Sequence, residues 1–198
     1  MSAPVAMITG GNRGIGAAIA QALAARGYRL ALGLRRAGSL PPEIATLDPL
    51  EVPYDAADPA AARAFVAATE AQFGRIDVLV CNAAVNPYFG PMAEIPDETY
   101  DKTMDTNVKS NLWLCNMVLP QMAEREDGTV IIVSSVAAFI GSGSLGAYGL
   151  SKKMTEEMAA GWQRWHGVAS IGFRIFNGYG PRIGMLGAVG AFLGCIRN

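Results

Sequence analysis

The sequence predicts an α/β fold in which a doubly wound, Rossmann-type parallel sheet lies between two layers of helices. Short apolar runs alternate with segments of helical periodicity along most of the chain. The runs are apolar throughout instead of at every second position, which is typical of strands buried on both faces. A glycine-rich turn joins the first run to the first helical segment.

The strands are predicted where these apolar runs occur, and the helices where apolar residues recur every three or four positions. Asp58 and Pro59 are predicted to be the N-cap and the first residue of one helix. Residues 37–49 hold one glycine and three prolines, so they are predicted to form a loop with at most a short helix. The predicted strands are 5–8, 29–34, 50–54, 76–81, 129–134 and 170–176, and the predicted helices are 15–24, 59–73, 97–122 and 147–165.

Length and composition limit the classes of protein. The 198 residues (20.8 kDa) fit a single domain over 1–198, and a hydrophobic fraction of 51% supplies a large core. A net charge of −1 provides no field that would recruit nucleic acid or anionic lipid. The three cysteines, at 81, 115 and 195, are far apart, and His166 is the only histidine. We therefore expect no disulfide framework and no metal site, and a reducing, cytoplasmic location.

The turn after the first predicted strand reads Thr9-Gly10-Gly11-Asn12-Arg13-Gly14-Ile15-Gly16. Glycines at 10, 14 and 16 would let the backbone turn tightly, approach a pyrophosphate and pack the helix against the sheet. The first N–H groups of that helix would then face the anion. Because the motif stands between a strand and a helix, a nucleotide-binding turn is favoured over a tight turn without a ligand.

The end of the second predicted strand indicates which dinucleotide would bind. Sites for NAD carry an Asp or Glu about 20 residues after the turn, which accepts hydrogen bonds from the ribose 2′-hydroxyl. This chain has Arg35 and Arg36 there, and Arg13 lies in the turn itself. Guanidinium groups pair with phosphate oxygens, so a 2′-phosphate and hence NADP(H) are favoured. The alternative is that the two strand-end arginines are merely solvated.

A tyrosine and a lysine, Tyr148 and Lys152, are four residues apart at the start of a predicted helix, so they lie on one face of it. An ammonium group beside a phenol lowers the tyrosine pKa from its usual value of about 10. Such a tyrosine can exchange a proton with a substrate oxygen near neutral pH. Ser135 ends the fifth predicted strand, at the sheet edge where such folds bind ligands.

These motifs together resemble the short-chain dehydrogenase/reductase family. Further matching pieces are Asp55-Ala56, the run at 81–84, Asn107 and Ser134-Ser135, and the resemblance covers residues 5 to about 157. The segment 81–90 looks most similar to the NADP-dependent carbonyl (retinol) reductases of that family.

The resemblance implies hydride transfer between NADP(H) and a small carbonyl or alcohol substrate. It implies that Tyr148 protonates the developing alkoxide and that Ser135 donates a hydrogen bond to the same oxygen. Lys152 would lower the tyrosine pKa and hold the nicotinamide ribose. Asn107 would hold a water that links Lys152 to bulk solvent.

The resemblance also implies cofactor contacts, self-association and a substrate pocket. Asp55 would contact the adenine amine, and Asn82 would stabilise the turn after strand four. Helix 147–165 packs between subunits in the family, so a homo-oligomer is expected. The apolar residues of 88–91 would wall a hydrophobic substrate pocket, or else serve only loop packing. The residues implied to bind NADP(H) are Gly10, Asn12, Arg13, Gly14, Ile15, Gly16, Arg35, Asp55, Ala56, Asn82, Ala83, Tyr148 and Lys152.

Residues 158–198 depart from the family pattern and are predicted to be a divergent tail. They contain no Asp or Glu, and no substrate lid or final strand is recognisable in them. The sixth strand would then be an exposed edge. The glycine-rich run 183–196 is too short to span a membrane, and either covers that edge or packs poorly. Residues 173–182 resemble a turn of the larger sugar-nucleotide epimerases.

Three functions are open from the sequence. An NADP(H)-dependent carbonyl reductase or alcohol dehydrogenase is the leading hypothesis. The alternative is a catalytically impaired NADP-binding relic, or a structural homologue, without a complete substrate lid. A sugar-nucleotide epimerase would need a substrate domain that this length cannot house.

Overall fold

The computed structural model describes residues 3–36, 38–140 and 144–175. The strands are β1 (Val5–Thr9), β2 (Arg29–Leu34), β3 (Leu50–Pro53), β4 (Val78–Cys81), β5 (Thr129–Ser135) and β6 (Ala169–Ile175). The helices are α1 (Gly14–Ala24), α2 (Pro42–Ala45), α3 (Pro59–Phe73), α4 (Asp97–Met104), α5 (Ser110–Glu124) and α6 (Gly146–His166), with short 3₁₀ turns at Met92–Glu94 and Val136–Ala138.

All six strands pair in parallel, in the order β3-β2-β1-β4-β5-β6, and helices cover both faces of the sheet. Successive residues of β1 show the two layers. Met7 packs in the core that α3, α5 and α6 cover, whereas Ala6 and Ile8 pack in the core under α1 and α2. All of β1 is buried, which explains why its sequence shows no alternation. The predicted doubly wound α/β fold is confirmed.

The strand order places a crevice at the carboxyl ends of β1 and β4. After β3 at one edge, the chain returns to pair β4 with the other side of β1. The two strands are in register at Met7 with Leu79 and at Ile8 with Val80. In open parallel sheets this reversal of strand order is where ligands bind. The residues that follow β1 and β4 are therefore neighbours there.

Local signals in the sequence set the predicted helix ends. The Asp58 carboxylate accepts a hydrogen bond of 2.7 Å from the Ala60 N–H, and Pro59 is the first residue of α3. The prolines of 37–49 leave only the four-residue helix α2. Both expectations are confirmed.

The prediction of a single helix over 97–122 is wrong in one respect. The structure divides it into α4 and α5, joined by a π-helical turn at Asp105–Lys109. Thr106, Asn107 and Val108 are buried within that turn. A π turn adds one residue to the helical repeat, and apolar periodicity alone does not reveal so small an insertion.

The part of the predicted tail that the structure describes is regular. Residues 158–166 form the end of α6, and β6 pairs with β5 from Ala169 to Ile175. The predicted strand end at Phe176, the turn at 177–182 and the apolar run 183–196 lie outside the described residues. None of the described helices is both long and apolar enough to cross a bilayer.

Candidate active site

The glycine turn between β1 and α1 has a backbone that only glycine adopts without strain at two positions. Gly10 has φ +69° and Gly14 has φ +55°. A Cβ on Gly16 would collide with the Gly10 carbonyl oxygen and lie 2.6 Å from the Asn82 amide nitrogen. Arg13 is the N-cap of α1 and makes no side-chain capping bond, so the first N–H groups of the helix are not capped by it. This geometry suits a close-lying phosphate.

Asn82 and Thr9 join the end of β4 to this turn. The Asn82 side-chain amide donates to the Thr9 carbonyl at 2.8 Å and to the Gly10 carbonyl at 3.1 Å. The Thr9 hydroxyl accepts from the main-chain N–H groups of Asn82 and Ala83, both at 2.9 Å. Thr9 is not among the predicted site residues, although its place at the carboxyl end of β1 could have indicated such a role. Four residues of the predicted set are thus brought together: Gly10, Gly16, Asn82 and Ala83.

The candidate adenine side of the crevice lies at the ends of β2 and β3. The Gly10 N–H donates to the Gly33 carbonyl at 2.8 Å, which ties the turn to β2 two residues before the exposed Arg35. Asp55 is also exposed, and its carboxylate accepts a hydrogen bond of 3.0 Å from the Ala57 N–H. Ala56 is buried beside it. The arrangement leaves Arg35 and Asp55 at the surface, where a nucleotide could meet them.

The side chains of Ser135 and Tyr148 interact where β5 ends and α6 begins. The Ser135 hydroxyl also accepts a bond of 3.2 Å from the Ala137 N–H, which caps the short 3₁₀ turn and fixes the serine. Burial raises the pKa of Tyr148, and the interaction with the Ser135 side chain opposes this by a smaller amount. The tyrosine therefore stays protonated at neutral pH.

Lys152 is buried and does not lower the tyrosine pKa in the way the sequence suggested. Its ammonium donates to the Val133 carbonyl at 2.8 Å and lies 5.7 Å from the centre of the Tyr148 ring. Burial lowers the pKa of Lys152 to about 8. The expectation that Lys152 pulls the pKa of Tyr148 down is wrong for this structure, because burial of the phenol outweighs the other contributions. Tyr148 and Lys152 do lie on one face of α6, as their spacing predicts.

Asn107 lies in the π-helical turn with its side chain bound to protein groups. Its amide oxygen accepts from the Val85 N–H at 2.8 Å, and its amide nitrogen donates to the Val85 carbonyl at 2.9 Å. The same nitrogen donates to the Ser151 hydroxyl at 3.0 Å, which in turn donates to the Tyr148 carbonyl at 2.7 Å. Asn107 thus connects the segment after β4 to the first turn of α6. Ser151, absent from the predicted set, is recognisable only from this contact.

The described residues hold no group of three His, Cys, Asp or Glu side chains that could bind a metal ion. Of the three cysteines, Cys81 and Cys115 are buried free thiols. Cys195 lies outside the described part of the chain.

Comparison with known proteins identifies relatives of this chain. The sequence profile described as short chain dehydrogenase matches residues 4–175. That match extends past the predicted limit near residue 157 and includes the end of α6 and all of β6. Dehydrogenase/reductase SDR family member 4 of Bos taurus is 38% identical over 153 residues, covering 75% of this chain and 55% of the relative. The Homo sapiens protein of the same name is 39% identical over the same shares. The chain thus spans about half the length of these relatives.

Solved structures give the same result for the fold. A metagenomic short-chain oxidoreductase in complex with NADP superposes with a TM-score of 0.82 at 28% identity, covering 96% of this chain and 89% of the other. A short-chain dehydrogenase from Streptomyces avermitilis also gives a TM-score of 0.82, at 24% identity, covering 100% of this chain and 79% of the other. The second likeness bears on the fold alone.

Proposed function

The chain belongs to the short-chain dehydrogenase family, and from this premise we propose that it is an NADP(H)-dependent oxidoreductase acting on a carbonyl or alcohol. The observation that carries the proposal is the group Ser135, Tyr148 and Lys152 at the carboxyl end of β5, in the same sheet edge as the glycine turn. The relatives named dehydrogenase/reductase and the neighbour solved with NADP support it. More specifically, the proposed reaction is the reduction of a carbonyl compound by NADPH.

The residues present fit NADP(H). The turn at 10–16 leaves no room for a Cβ at Gly16 and needs positive φ at Gly10 and Gly14, as a backbone that approaches a pyrophosphate would. Asn82 holds this turn in shape. When bound, NADPH supplies the hydride that reduces the carbonyl carbon.

Further contacts with the cofactor follow from position. Arg13 and Arg35, both exposed, would pair with the 2′-phosphate. Asp55 and Ala56 would lie at the adenine, and Asn12, Ile15 and Ala83 would line the crevice. Lys152 would exchange its bond with the Val133 carbonyl for the nicotinamide ribose.

Tyr148 would act as the general acid in the reducing direction. Its raised pKa keeps the phenol protonated at neutral pH, which is the form that donates a proton to an alkoxide. Ser135, which interacts with the phenol, would donate a hydrogen bond to the same substrate oxygen where negative charge develops. Asn107 would fix α6 through Ser151, and a water near it would return a proton by way of Lys152.

The substrate would be apolar around its carbonyl. Four large apolar side chains stand exposed on the segments after β4 and β5: Phe89, Met92, Phe139 and Ile140. The Gly90 N–H donates to the Ser144 carbonyl at 3.1 Å, which joins the segment after β4 to the start of α6 near Tyr148.

A single domain over 1–198, self-association and a cytoplasmic location stay predictions from the sequence.

Two measurements test the proposal. Fluorescence and thermal-shift titrations compare NADPH with NADH, and we expect NADPH to bind more tightly. Oxidation of NADPH, followed with a panel of aromatic ketones and aldehydes, should depend on the carbonyl compound. Binding of NADPH with no turnover above that of Tyr148→Phe would favour a cofactor-binding relic, and absence of binding would overturn the proposal.

A further inference from the structure

Three successive turns of one face of α6 contact the last three residues of β5. Tyr148, Lys152 and Glu156 are spaced by four, so they form a row along the helix. The phenol of Tyr148 interacts with the Ser135 side chain, and the Lys152 ammonium donates to the Val133 carbonyl at 2.8 Å. Glu156 completes the row. Its carboxylate accepts a bond of 2.6 Å from the hydroxyl of Ser134.

Glu156 is also paired with β6. Parallel pairing of β5 with β6 places Ser134 in register with Arg174, so both side chains lie on the face that α6 covers. Arg174 binds the carboxylate through two nitrogens, each at 2.8 Å, in the forked geometry that makes such pairs strong. The guanidinium also lies 5.5 Å from the ring centre of Phe139, just after the 3₁₀ turn that Ser135 caps.

This cluster is partly withdrawn from solvent. The side chain of Glu156 is 11% exposed, and Ser134 is 3% exposed. A carboxylate in such a place requires its partners, because unpaired burial of charge is unfavourable. The neighbouring Glu157 differs: it is 65% exposed and pairs with Lys153 at 2.9 Å on the helix surface. Two adjacent glutamates thus serve different purposes.

We propose that Glu156, held by Ser134 and Arg174, is a positioning residue that fixes α6 on β5 and so keeps Tyr148 and Lys152 in place against Ser135 and Val133. The proposal rests on the proposed function only for its kinetic readout. Loss of this third contact would let α6 shift along or away from the strand. Displacements of about 1 Å at a reacting group can cost 100-fold in rate.

The test compares Glu156→Ala and Ser134→Ala with the control Glu157→Ala. We expect kcat for carbonyl reduction to fall about tenfold in the first two variants, with the dissociation constant of NADPH changed less than twofold. Glu157→Ala should behave as the unmodified protein. In the double variant the two losses should not add, because Glu156→Ala already removes the bond that Ser134→Ala removes. Additive losses, or equal losses in the control, would overturn the proposal.

A second readout separates positioning from general loss of stability, and it needs no turnover. Tyrosine labelled with ¹³C at Cζ reports phenol titration, and Tyr148→Phe identifies the signal among the six tyrosines. The groups facing this phenol are Ser135 from β5 and the ammonium of Lys152; those facing Glu156 are Arg174 and Lys153. We expect the titration of Tyr148 to change in Ser134→Ala, because burial raises its pKa and the Ser135 side chain lowers it, and both depend on where α6 lies against β5. An unchanged titration beside a lower melting temperature would mean a merely structural role and overturn the proposal.

Discussion

The ammonium nitrogen of Lys152 lies 2.8 Å from the main-chain carbonyl oxygen of Val133, so its bonded partner is the strand and not the phenol of Tyr148. The centre of the tyrosine ring is 5.7 Å away. Burial acts on both groups in the same sense, since it favours the neutral form of each. It raises the pKa of Tyr148 and lowers that of Lys152 to about 8. The site is therefore prepared to donate a proton.

The buried lysine predicts a pH dependence of stability in the cofactor-free protein. Its pKa falls from an ordinary 10.5 in the unfolded chain to about 8 in the folded one. Between these values the unfolded chain binds more protons, so the free energy of unfolding rises with pH at this site. Relative to Lys152→Met, the unmodified protein should gain up to roughly 3 kcal/mol from pH 8 to 10.5. Urea unfolding at several pH values measures this difference.

Lys153→Met, which removes an exposed lysine from the same turn of α6, is measured in parallel as a control for the lost charge. A difference between Lys152→Met and the unmodified protein that is constant or shrinks with rising pH would contradict the buried position of the ammonium.

The space around two glycines, Gly16 in the glycine turn and Gly161 in α6, predicts opposite effects when each is replaced by alanine. In Gly16→Ala the new methyl group would collide with the Gly10 carbonyl and the Asn82 amide, so the turn must deform. We expect NADPH affinity to fall at least about tenfold, equivalent to about 1.4 kcal/mol, with loss of stability. Isothermal titration and thermal unfolding measure the two effects.

Gly161→Ala is the matched control within α6. A methyl group there meets no atom of the described residues within 4 Å. Replacement of a mid-helix glycine should stabilise the protein by about 0.5–1 kcal/mol and leave cofactor affinity unchanged. If Gly16→Ala bound NADPH as well as Gly161→Ala does, the turn would not be the phosphate site.

The arginine at the end of β2 predicts the choice between cofactors. Arg35→Ala would remove a charge-assisted bond to the 2′-phosphate, worth about 1.5–3 kcal/mol. We expect the dissociation constant of NADPH to rise about tenfold or more and that of NADH to stay the same. Arg26→Ala, which removes an exposed arginine after the other end of α1, should change neither. Equal weakening of NADPH and NADH by Arg35→Ala would contradict the assigned preference.

Local sequence signals predict the fold well because each depends on neighbouring residues. The six strands begin within two residues of their predicted positions, since buried parallel strands are apolar runs. Asp58 and Pro59 start α3 as expected. Spacing by four also places Tyr148 and Lys152 on one face without any knowledge of tertiary structure.

The contacts that complete the site depend on residues distant in sequence. Thr9 meets the N–H groups after β4, and Asn107 meets Val85 and Ser151, only once the sheet and the π-helical turn have formed. The same holds for the pKa of Tyr148. A tyrosine–lysine spacing indicates an electrostatic effect, but burial, which the spacing does not reveal, determines the direction.

Comparison of Tyr148→Phe with the unmodified protein tests the central claim most directly. The substitution removes only the hydroxyl, so NADPH affinity should stay within about twofold while its carbonyl-dependent oxidation falls roughly 100- to 10,000-fold, the usual contribution of a positioned general acid. Steady-state absorbance of NADPH, with cofactor affinity measured on the same preparations, supplies both numbers. Turnover by Tyr148→Phe at the rate of the unmodified protein would contradict the assignment of Tyr148 as the proton donor.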